Sequence, residues 1–264
     1  MKLLSWNVNG LRAIHKKGAF NAIFEVDPDI ICLQETKAHP EQLPEEVRSP
    51  AGYHSYFDHS KLKKGYSGVA IYIKSNLKDQ ISKIEYGMGN EKFDQEGRFL
   101  AIYLKNLKDN INYVLINCYF PNGNASQERL NFKMEYYDEF LKYIDKLKKE
   151  GKNIIFCGDI NTAHKEIDLF HPKENQNHSG FLPMERKWID KLISHGYLDT
   201  FRKLHPEKIQ YSWWAATTFA RDRGVGWRID YFFVSDSLKN SIKRAEILDN
   251  IMGSDHCPVF LELK

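Results

Sequence analysis

Short apolar runs recur along the chain, with polar segments between them. Eight runs have the length and residue types of buried strands, at about 2–8, 30–34, 68–73, 98–104, 112–119, 153–157, 228–234 and 257–263. Several neighbouring runs are separated only by short turns. The pattern therefore predicts an α/β fold of mixed sheets covered by helices, and not a single all-parallel sheet.

The stretch 126–149 has the period of an amphipathic helix. Its apolar residues recur at spacings of three and four, and Glu, Lys and Asp fill the opposite face. Ser126 is a suitable N-cap, and Gly151 is a suitable stop. Shorter helices are predicted over three further stretches: 18–26, 40–48 and 183–195.

Length and composition set outer limits on these predictions. The chain has 264 residues and is 42% hydrophobic, which suits a single domain spanning 1–264 with a substantial core. Its apolar runs fall far short of the ~18 residues of a membrane-spanning helix, and its N-terminus lacks the pattern of a signal peptide. We therefore expect a cytoplasmic protein that is monomeric and makes no membrane contact. If the source is prokaryotic, association with the nucleoid is expected.

Charge and cysteine content add little to this picture. The net charge of +3 does not by itself indicate nucleic-acid binding. All four cysteines lie inside apolar runs, which favours buried thiols in a reducing compartment over zinc ligation or disulfides. The segment 221–228 is more specific, because it combines arginines with glycines and an indole. That mixture suits contact with backbone phosphates and a nearby sugar or base.

Polar residues with possible chemistry follow or precede six of the apolar runs. Each could serve only as a turn residue, but together they predict a polar site on a rigid scaffold. A carboxylate at the end of Cys32-Leu33-Gln34-Glu35 also needs a partner or a metal ion if it is buried. The residues are Asn7, Asn9, Glu35, Tyr119, Asn122, Asp159, Asn161, Asp230, Asp255 and His256.

These side chains offer mainly oxygen ligands, which suit Mg²⁺, with Mn²⁺ as a substitute. His256 with Asp230 and Asp255 resembles a general base and its orienting groups, although a structural turn histidine remains the alternative. Ser254 could belong to a Ser/His/Asp triad, but no Gly-x-Ser-x-Gly motif surrounds it. Metal-assisted attack of water on a phosphodiester fits the set best.

Longer motifs narrow the prediction to one family. In order, they are Trp6-Asn7-Val8-Asn9-Gly10-Leu11-Arg12-Ala13, Gln34-Glu35-Thr36-Lys37, Gly65-Tyr66-Ser67-Gly68-Val69-Ala70, Cys157-Gly158-Asp159-Ile160-Asn161, Ser179-Gly180-Phe181-Leu182-Pro183, Trp227-Arg228-Ile229-Asp230-Tyr231 and Ser254-Asp255-His256. Together they resemble the exonuclease III family of abasic-site (AP) endonucleases, within the DNase I-like phosphohydrolase superfamily. The resemblance covers essentially the whole chain.

The resemblance implies a fold and a set of roles. The fold is a four-layer α/β sandwich of two packed mixed sheets flanked by helices. Glu35 would hold the metal, with Asn7, Asn9 and Asp255 nearby, and Asp159, Asn161 and His256 are further candidate ligands. In catalysis Asp159 would orient or deprotonate water, Asn161 would hold Asp159 and contact the phosphate, and Tyr119 would lie against the scissile phosphate. His256, oriented by Asp230, would stabilise the charged transition state.

The resemblance also implies a substrate, double-stranded DNA with abasic sites. A sugar without its base leaves the helix cheaply, because it loses no stacking or pairing. Trp213, Trp214 and Trp227 are candidates for the walls of an apolar pocket that accepts the bare sugar, with core indoles as the alternative. Asn9, Asn122, Asn175 and Arg221 are further candidate substrate contacts, and His178 stands where some relatives have a second asparagine.

The expected activity is cleavage of the phosphodiester 5′ to an abasic site, with 3′–5′ exonuclease or 3′-end trimming activity. Two alternatives remain open. One is another enzyme on the same scaffold, such as a non-specific nuclease or a phosphatase acting on lipid headgroups. The other is a DNA-binding protein with an inactive site, which the complete set of acid, amide and imidazole positions disfavours.

Overall fold

The computed structural model describes residues 1–105, 112–216 and 219–264. Within these ranges the strands are β1 Lys2–Asn7, β2 Ile30–Gln34, β3 Tyr53–Asp58, β4 Val69–Lys74, β5 Ile81–Tyr86, β6 Phe99–Lys105, β7 Asn112–Cys118, β8 Asn153–Asp159, β9 Tyr197–Asp199, β10 Trp213–Trp214, β11 Gly226–Trp227, β12 Asp230–Ser235, β13 Ile242–Ile247 and β14 Val259–Leu263. The α-helices are α1 Leu11–Lys16, α2 Glu45–Arg48, α3 Glu91–Asp94, α4 Gln127–Lys149, α5 Pro183–Ser194 and α6 Thr200–Leu204.

Twelve of these strands form two six-stranded sheets. The first has the order β13-β14-β1-β2-β4-β3, and the second has the order β5-β6-β7-β8-β12-β9. Each is mixed, because β1 and β2 run parallel in the first sheet, as do β7 and β8 in the second, while the other neighbours are antiparallel. The prediction of mixed sheets is confirmed.

Three layers of apolar side chains separate four layers of secondary structure. The central core joins the inner faces of the two sheets, for example through Ile71 and Leu115. A second core packs the aromatic face of α4 against the outer face of the second sheet. A third core covers the outer face of the first sheet with α1 and the segments that follow it. The predicted sandwich of two mixed sheets flanked by helices is therefore confirmed.

The long helix follows its sequence pattern closely. Ser126 is its N-cap, and the Ser126 hydroxyl accepts a hydrogen bond from the backbone N–H of Arg129 at 3.2 Å. Helix α5 begins at Pro183, as predicted, and ends at Ser194. The predicted helix at 18–26 is only a 3₁₀ turn, Phe20–Ile23, and the one at 40–48 divides into a 3₁₀ turn, Pro40–Gln42, and the short α2.

Two further predictions can be compared with the structure. All four cysteines are buried and unpaired, so the prediction of buried thiols is confirmed. In the described ranges, every helix is too short or too polar to cross a membrane.

Candidate active site

The two parallel strand pairs explain why distant polar residues meet. Strands β1 and β2 end beside one another in the first sheet, and β7 and β8 do so in the second. Asn7, Glu35, Tyr119 and Asp159 therefore come from four neighbouring carboxyl ends. The sheets meet here, because Asn7 on β1 donates its amide N–H to Asp159 Oδ2 on β8 at 3.0 Å.

Asp159 is held in place by backbone and amide donors. The Asn161 backbone N–H donates to Asp159 Oδ1 at 2.7 Å, and the Asn161 amide lies 3.3 Å from Oδ2. Asn161 itself adopts a left-handed conformation, with φ of 56°, which asparagine tolerates better than most residues. The preceding Gly158 is required by close packing, since a Cβ there would lie 1.9 Å from the Cys118 carbonyl oxygen. Backbone geometry thus fixes the position of Asp159.

His256 completes the buried side of this centre. Its Nδ1 lies 2.9 Å from Asp230 Oδ2, and its Nε2 lies 3.9 Å from Asp159 Oδ2. Asp230 is in register with Asp159, because β12 pairs antiparallel with β8. Burial opposes a charge on the imidazole, but Asp230 and its other acidic neighbours raise the pKa of His256 to about 10. In the charged state both ring nitrogens carry protons, so the ring is a hydrogen-bond donor.

The negative charge of Asp230, which favours the charged form of His256, disfavours the charged form of Asp159. Burial raises its pKa, and the nearby charges of Asp230 and Glu35 raise it further against the attraction of His256. A carboxyl group with a raised pKa is a better proton acceptor once it is ionised. The geometry therefore joins a carboxylate of increased basicity to a charged imidazole.

Glu35 belongs to a group of three side chains that could together bind a metal ion. Among the described residues, Glu35, Asp159 and His256 bring ligand atoms within 4.8 Å of one another. Asn7 bridges the two carboxylates, donating to Glu35 Oε1 at 2.9 Å. Lys37 forms an ion pair with Glu35 Oε2 at 2.8 Å. Although burial raises the pKa of Glu35, Lys37 and Asn7 hold it below its usual value.

Asn7 differs from its predicted ligand role in one respect. Its amide nitrogen faces the carboxylates, while its oxygen accepts the Asn9 backbone N–H at 3.0 Å. Asn9 in turn donates to Asp255 Oδ1 at 2.9 Å. Asp255 Oδ2 accepts from the Trp213 indole at 3.1 Å. These contacts order the rim of the site around the Glu35 and Asp159 carboxylates.

Tyr119 lies at the same rim, stacked on a buried arginine. The Arg98 guanidinium lies 4.5 Å from the centroid of the Tyr119 ring and donates to the Tyr119 carbonyl oxygen at 3.1 Å. Burial and the charge of Glu35 raise the pKa of the Tyr119 phenol well above its usual value. Tyr119 is therefore a neutral hydroxyl donor at physiological pH.

An open cleft of about 510 Å³ extends from these groups. Trp213 and Trp227 are paired across the short strands β10 and β11, with ring centroids 6.3 Å apart at 80°. Both indoles pack against a small apolar cluster that includes Phe181 and Ile229. The cleft combines one polar wall with one aromatic wall. Its lining includes Glu35, Tyr119, Asn122, Asp159, Asn161, Asn175, His178, Trp213, Trp227, Asp255 and His256.

Comparison with known proteins identifies the family of the chain. The sequence profile of the Endonuclease/Exonuclease/phosphatase family matches residues 4–256. The chain belongs to this family. An exodeoxyribonuclease of Bacillus subtilis is 44% identical over 99% of this chain and 98% of its own length. A DNA repair nuclease APEX1 of Danio rerio is 38% identical over 100% of this chain and 82% of its own length.

The endonuclease/exonuclease/phosphatase fold is also found in solved structures of similar proteins. An AP endonuclease from Leishmania major superposes with a TM-score of 0.91 at 30% identity, covering 100% of this chain and 87% of its own. The catalytic domain of Xenopus laevis APE2 has a TM-score of 0.88 at 31% identity, covering 100% and 92%. The two mixed sheets and their helices are thus those of known AP endonucleases.

Three residues singled out in the sequence lie away from the cleft. Arg228 was expected to suit phosphate contact, but it is fully buried and paired with Asp168 and Asp199. Arg221 donates to backbone carbonyls of residues 249, 251 and 254 and lies over Trp214, with its guanidinium 4.4 Å from the ring. Trp214 is itself buried. Both guanidinium groups bind acceptors that lie far away in the sequence. The composition of the segment 221–228 therefore does not reveal them.

Some residues of the cleft were not assigned a role from the sequence. Gly180 lies beneath Trp227, and a Cβ there would lie 3.2 Å from the indole. Ser179 and Ile229 line the cleft beside it. The motif Ser179-Gly180-Phe181-Leu182-Pro183 was a signal for this position, but nothing in it indicates contact with an indole almost fifty residues later in the chain.

Proposed function

We propose that this protein is a Mg²⁺-dependent DNA repair nuclease that hydrolyses the phosphodiester 5′ to abasic sites, with additional 3′–5′ exonuclease activity. One observation carries the proposal. A buried Asp159–Asn161 and His256–Asp230 centre shares a single cleft with the half-buried indoles Trp213 and Trp227. The first part suits phosphoryl chemistry, and the second suits an exposed deoxyribose. The names of the bacterial and animal relatives agree with this activity.

The donor set of the cleft fits a hard divalent cation. Glu35 and Asp159 would hold it, and the Asn7 amide bridges the same two carboxylates. Carboxylate oxygens are typical ligands of Mg²⁺ and Mn²⁺. When bound, the ion would supply charge neutralisation at the phosphate and would increase the acidity of the attacking water. Of the Glu35 and Asp159 oxygens, only Glu35 Oε2 is paired with a lysine, at 2.8 Å.

The protein groups supply the remaining functions. Asp159, fixed by the Asn161 backbone N–H, orients the attacking water and accepts its proton. His256, charged through its contact with Asp230, donates toward the negative charge that develops on the phosphorus centre. The neutral Tyr119 hydroxyl lies beside the Glu35 carboxylate in the same cleft, where it can donate to a phosphate or leaving oxygen.

The aromatic wall accounts for substrate choice. A flipped sugar that lacks its base can enter the cleft beside Trp227 and Trp213, whereas an intact nucleotide would need room for its base. Asn175 and His178 line the same cleft and are further proposed contacts. A single domain over 1–264, a monomeric state and a cytoplasmic location remain predictions.

End-labelled duplexes test the proposal directly. One duplex carries a single abasic analogue, a second is intact, and each is incubated with Mg²⁺, Mn²⁺ or EDTA beside an inositol phosphate. We expect incision 5′ to the analogue with either metal and none in EDTA. Full cleavage in EDTA, or a requirement for zinc, would contradict the metal assignment. Hydrolysis of the inositol phosphate without incision of DNA would instead favour a headgroup phosphatase.

A matched variant separates metal binding from folding. Glu35→Ala should lower the incision rate by orders of magnitude and weaken its dependence on Mg²⁺ concentration, because Glu35 is the proposed principal ligand. Circular dichroism and thermal unfolding in EDTA provide the control that the variant is folded. An unchanged Mg²⁺ titration would refute the assignment of Glu35.

A further inference from the structure

A lysine and a glutamate form an ion pair beneath the floor of the cleft. Lys133 on α4 and Glu185 on α5 are both completely buried, with Lys133 Nζ 2.5 Å from Glu185 Oε1. Neither side chain lines the cleft. Two charges withdrawn from water carry a desolvation penalty that their mutual attraction often fails to recover. The position of the pair therefore calls for an explanation other than stability.

Lys133 is bound to the turn that carries the phosphate-side residues. Its ammonium donates to the Asn161 carbonyl oxygen at 2.8 Å and to Thr162 Oγ1 at 3.0 Å. With Glu185, these acceptors use all three ammonium protons. The left-handed Asn161, whose backbone N–H holds Asp159, is thus held from below by a buried cation.

Glu185 is bound to the segment that supports the aromatic wall. Its Oε2 accepts the backbone N–H groups of Gly180 at 2.6 Å and Leu182 at 3.0 Å. Its Oε1 also accepts the Ser179 hydroxyl at 2.8 Å. Gly180 lies directly under Trp227, so Glu185 sets the height of the surface on which the indole rests.

The pair therefore connects the two halves of the cleft. On one side are Asp159 and Asn161, and on the other are Gly180 and Trp227. A backbone hydrogen bond from the Ala163 N–H to the Gly180 carbonyl oxygen, 2.8 Å long, runs beside the ion pair. A change in the Lys133–Glu185 distance would change the separation of the phosphate-side turn from the sugar-side wall.

We propose that Lys133 and Glu185 are positioning residues that fix the spacing between the phosphate centre and the aromatic wall of the cleft. This inference rests on the proposed function, because it concerns the registration of an abasic sugar with its 5′ phosphate. Misplacement of reacting groups by about 1 Å can cost a factor of about 100 in rate. The pair acts through Asn161 and Gly180 and does not touch the substrate.

A double variant separates positioning from stability. Lys133→Met alone leaves a buried unpaired carboxylate and should lower the thermal midpoint strongly. Lys133→Met/Glu185→Gln removes both charges while keeping an acceptor for the Gly180 N–H, so the midpoint should recover most of the loss. We expect kcat for abasic-site incision to stay about 10- to 100-fold below wild type, with Kd for the abasic duplex nearly unchanged.

Leu147→Ala provides the matched control for general destabilisation. Leu147 is a buried residue of the same helix, far along α4 from Lys133, and packs in the second core, between α4 and the second sheet. Its midpoint should fall while kcat at a temperature where it is folded stays at the wild-type value. A loss of kcat in Leu147→Ala equal to that of the double variant would overturn the proposal.

The remaining outcomes are also decisive. A double variant with a recovered midpoint and wild-type kcat would overturn the positioning role. If the double variant does not fold, Thr162→Val removes one buried acceptor of Lys133 without changing shape, and it should reduce kcat in the same direction but less. Wild-type kcat in Thr162→Val would then refute the proposal. Failure of the wild-type protein itself to incise the abasic duplex would refute the proposed function instead.

Discussion

Two buried aspartates in this protein have opposite electrostatic environments. Asp159 in the cleft and Asp168 behind it are 1% and 0% exposed. Asp168 accepts from Arg228 Nε at 2.8 Å, from Arg202 Nε at 3.1 Å and from the Lys165 backbone N–H at 2.9 Å. Burial raises the pKa of Asp168, but Arg228 and Arg202 outweigh it and lower the pKa to about 2.

Asp159 has fewer positive neighbours and two negative ones. His256 is its cationic neighbour, 3.9 Å away, while Glu35 and Asp230 contribute like charges, and its pKa is raised. Burial alone therefore does not identify a reactive carboxylate. The balance of charge around the carboxylate does identify it. The arginines neutralise the charge of Asp168 within the core, whereas the negative neighbours of Asp159 outweigh its one imidazole, and Asp159 faces an open cleft.

The largest expected effects come from variants that remove the Asp159 carboxylate or the arginine partner of Asp168. Asp159→Asn should lower kcat for abasic-site incision by about 10²–10⁴-fold, because the water loses its proton acceptor. Its stability should be unchanged or increased, since a strained buried charge is removed. Kinetics and thermal unfolding of one preparation measure both quantities. Near-native kcat would show that Asp159 is not the acceptor.

Arg228→Met tests the structural cluster. Removing the guanidinium leaves Asp168 and Asp199 without a buried partner, and we expect the free energy of unfolding to fall by about 3–5 kcal/mol. Chemical denaturation provides the measurement. Activity per folded molecule should change little, because Arg228 lies outside the cleft. A selective loss of kcat at unchanged stability would reverse the distinction between the two aspartates.

Acid titration of stability should show the lowered pKa of Asp168. A carboxylate whose folded pKa is depressed contributes stability above its unfolded pKa, and this contribution is lost as pH falls toward the folded value. The stability difference between wild type and Asp168→Asn should therefore be constant above pH ~5 and narrow by about 2 kcal/mol between pH ~4 and ~2. A difference that stays constant across this range would contradict the strong pairing of Asp168 with the arginines.

The smallest expected effect concerns the aromatic wall. Trp227→Ala should lower kcat/KM at abasic sites by an amount that corresponds to about 1–3 kcal/mol of lost transition-state stabilisation, closer to 1. It should lower the affinity for intact duplex less. If Trp227 were mainly a core residue, its truncation would instead cost ~3–5 kcal/mol of stability. A large fall in thermal midpoint with unchanged selectivity for abasic over intact duplex would defeat the pocket assignment.

The eight strands predicted from the sequence are all interior strands of the two sheets. The four strands that form the sheet edges, β3, β5, β9 and β13, were not predicted. Interior strands are covered on both faces by other layers, so they appear as continuous apolar runs. Edge strands such as β5 keep polar residues, including Lys83 and Glu85, and their apolar period is too weak to detect.

Local sequence patterns also revealed only some residues of the site. Residues at the ends of interior strands, such as Asp159 and Glu35, were found from local motifs that follow apolar runs. The role of Arg228 was missed because its partner Asp168 lies 60 residues earlier. Lys133 and Glu185 were likewise missed, since a lysine on an amphipathic helix is usually solvated and its burial depends on tertiary packing.

The pairing of β1 with β14 has a consequence for biosynthesis. The Ser254 hydroxyl donates to the Asn7 carbonyl oxygen across 247 residues of sequence, and Asp255 and His256 follow directly. A growing chain on the ribosome therefore lacks its imidazole and one rim carboxylate until Asp255 and His256 have been translated. Because such distant contacts form late and slowly, the nuclease cannot act on DNA as a nascent fragment. Its activity begins only when Asp255 and His256 have reached the end of β1.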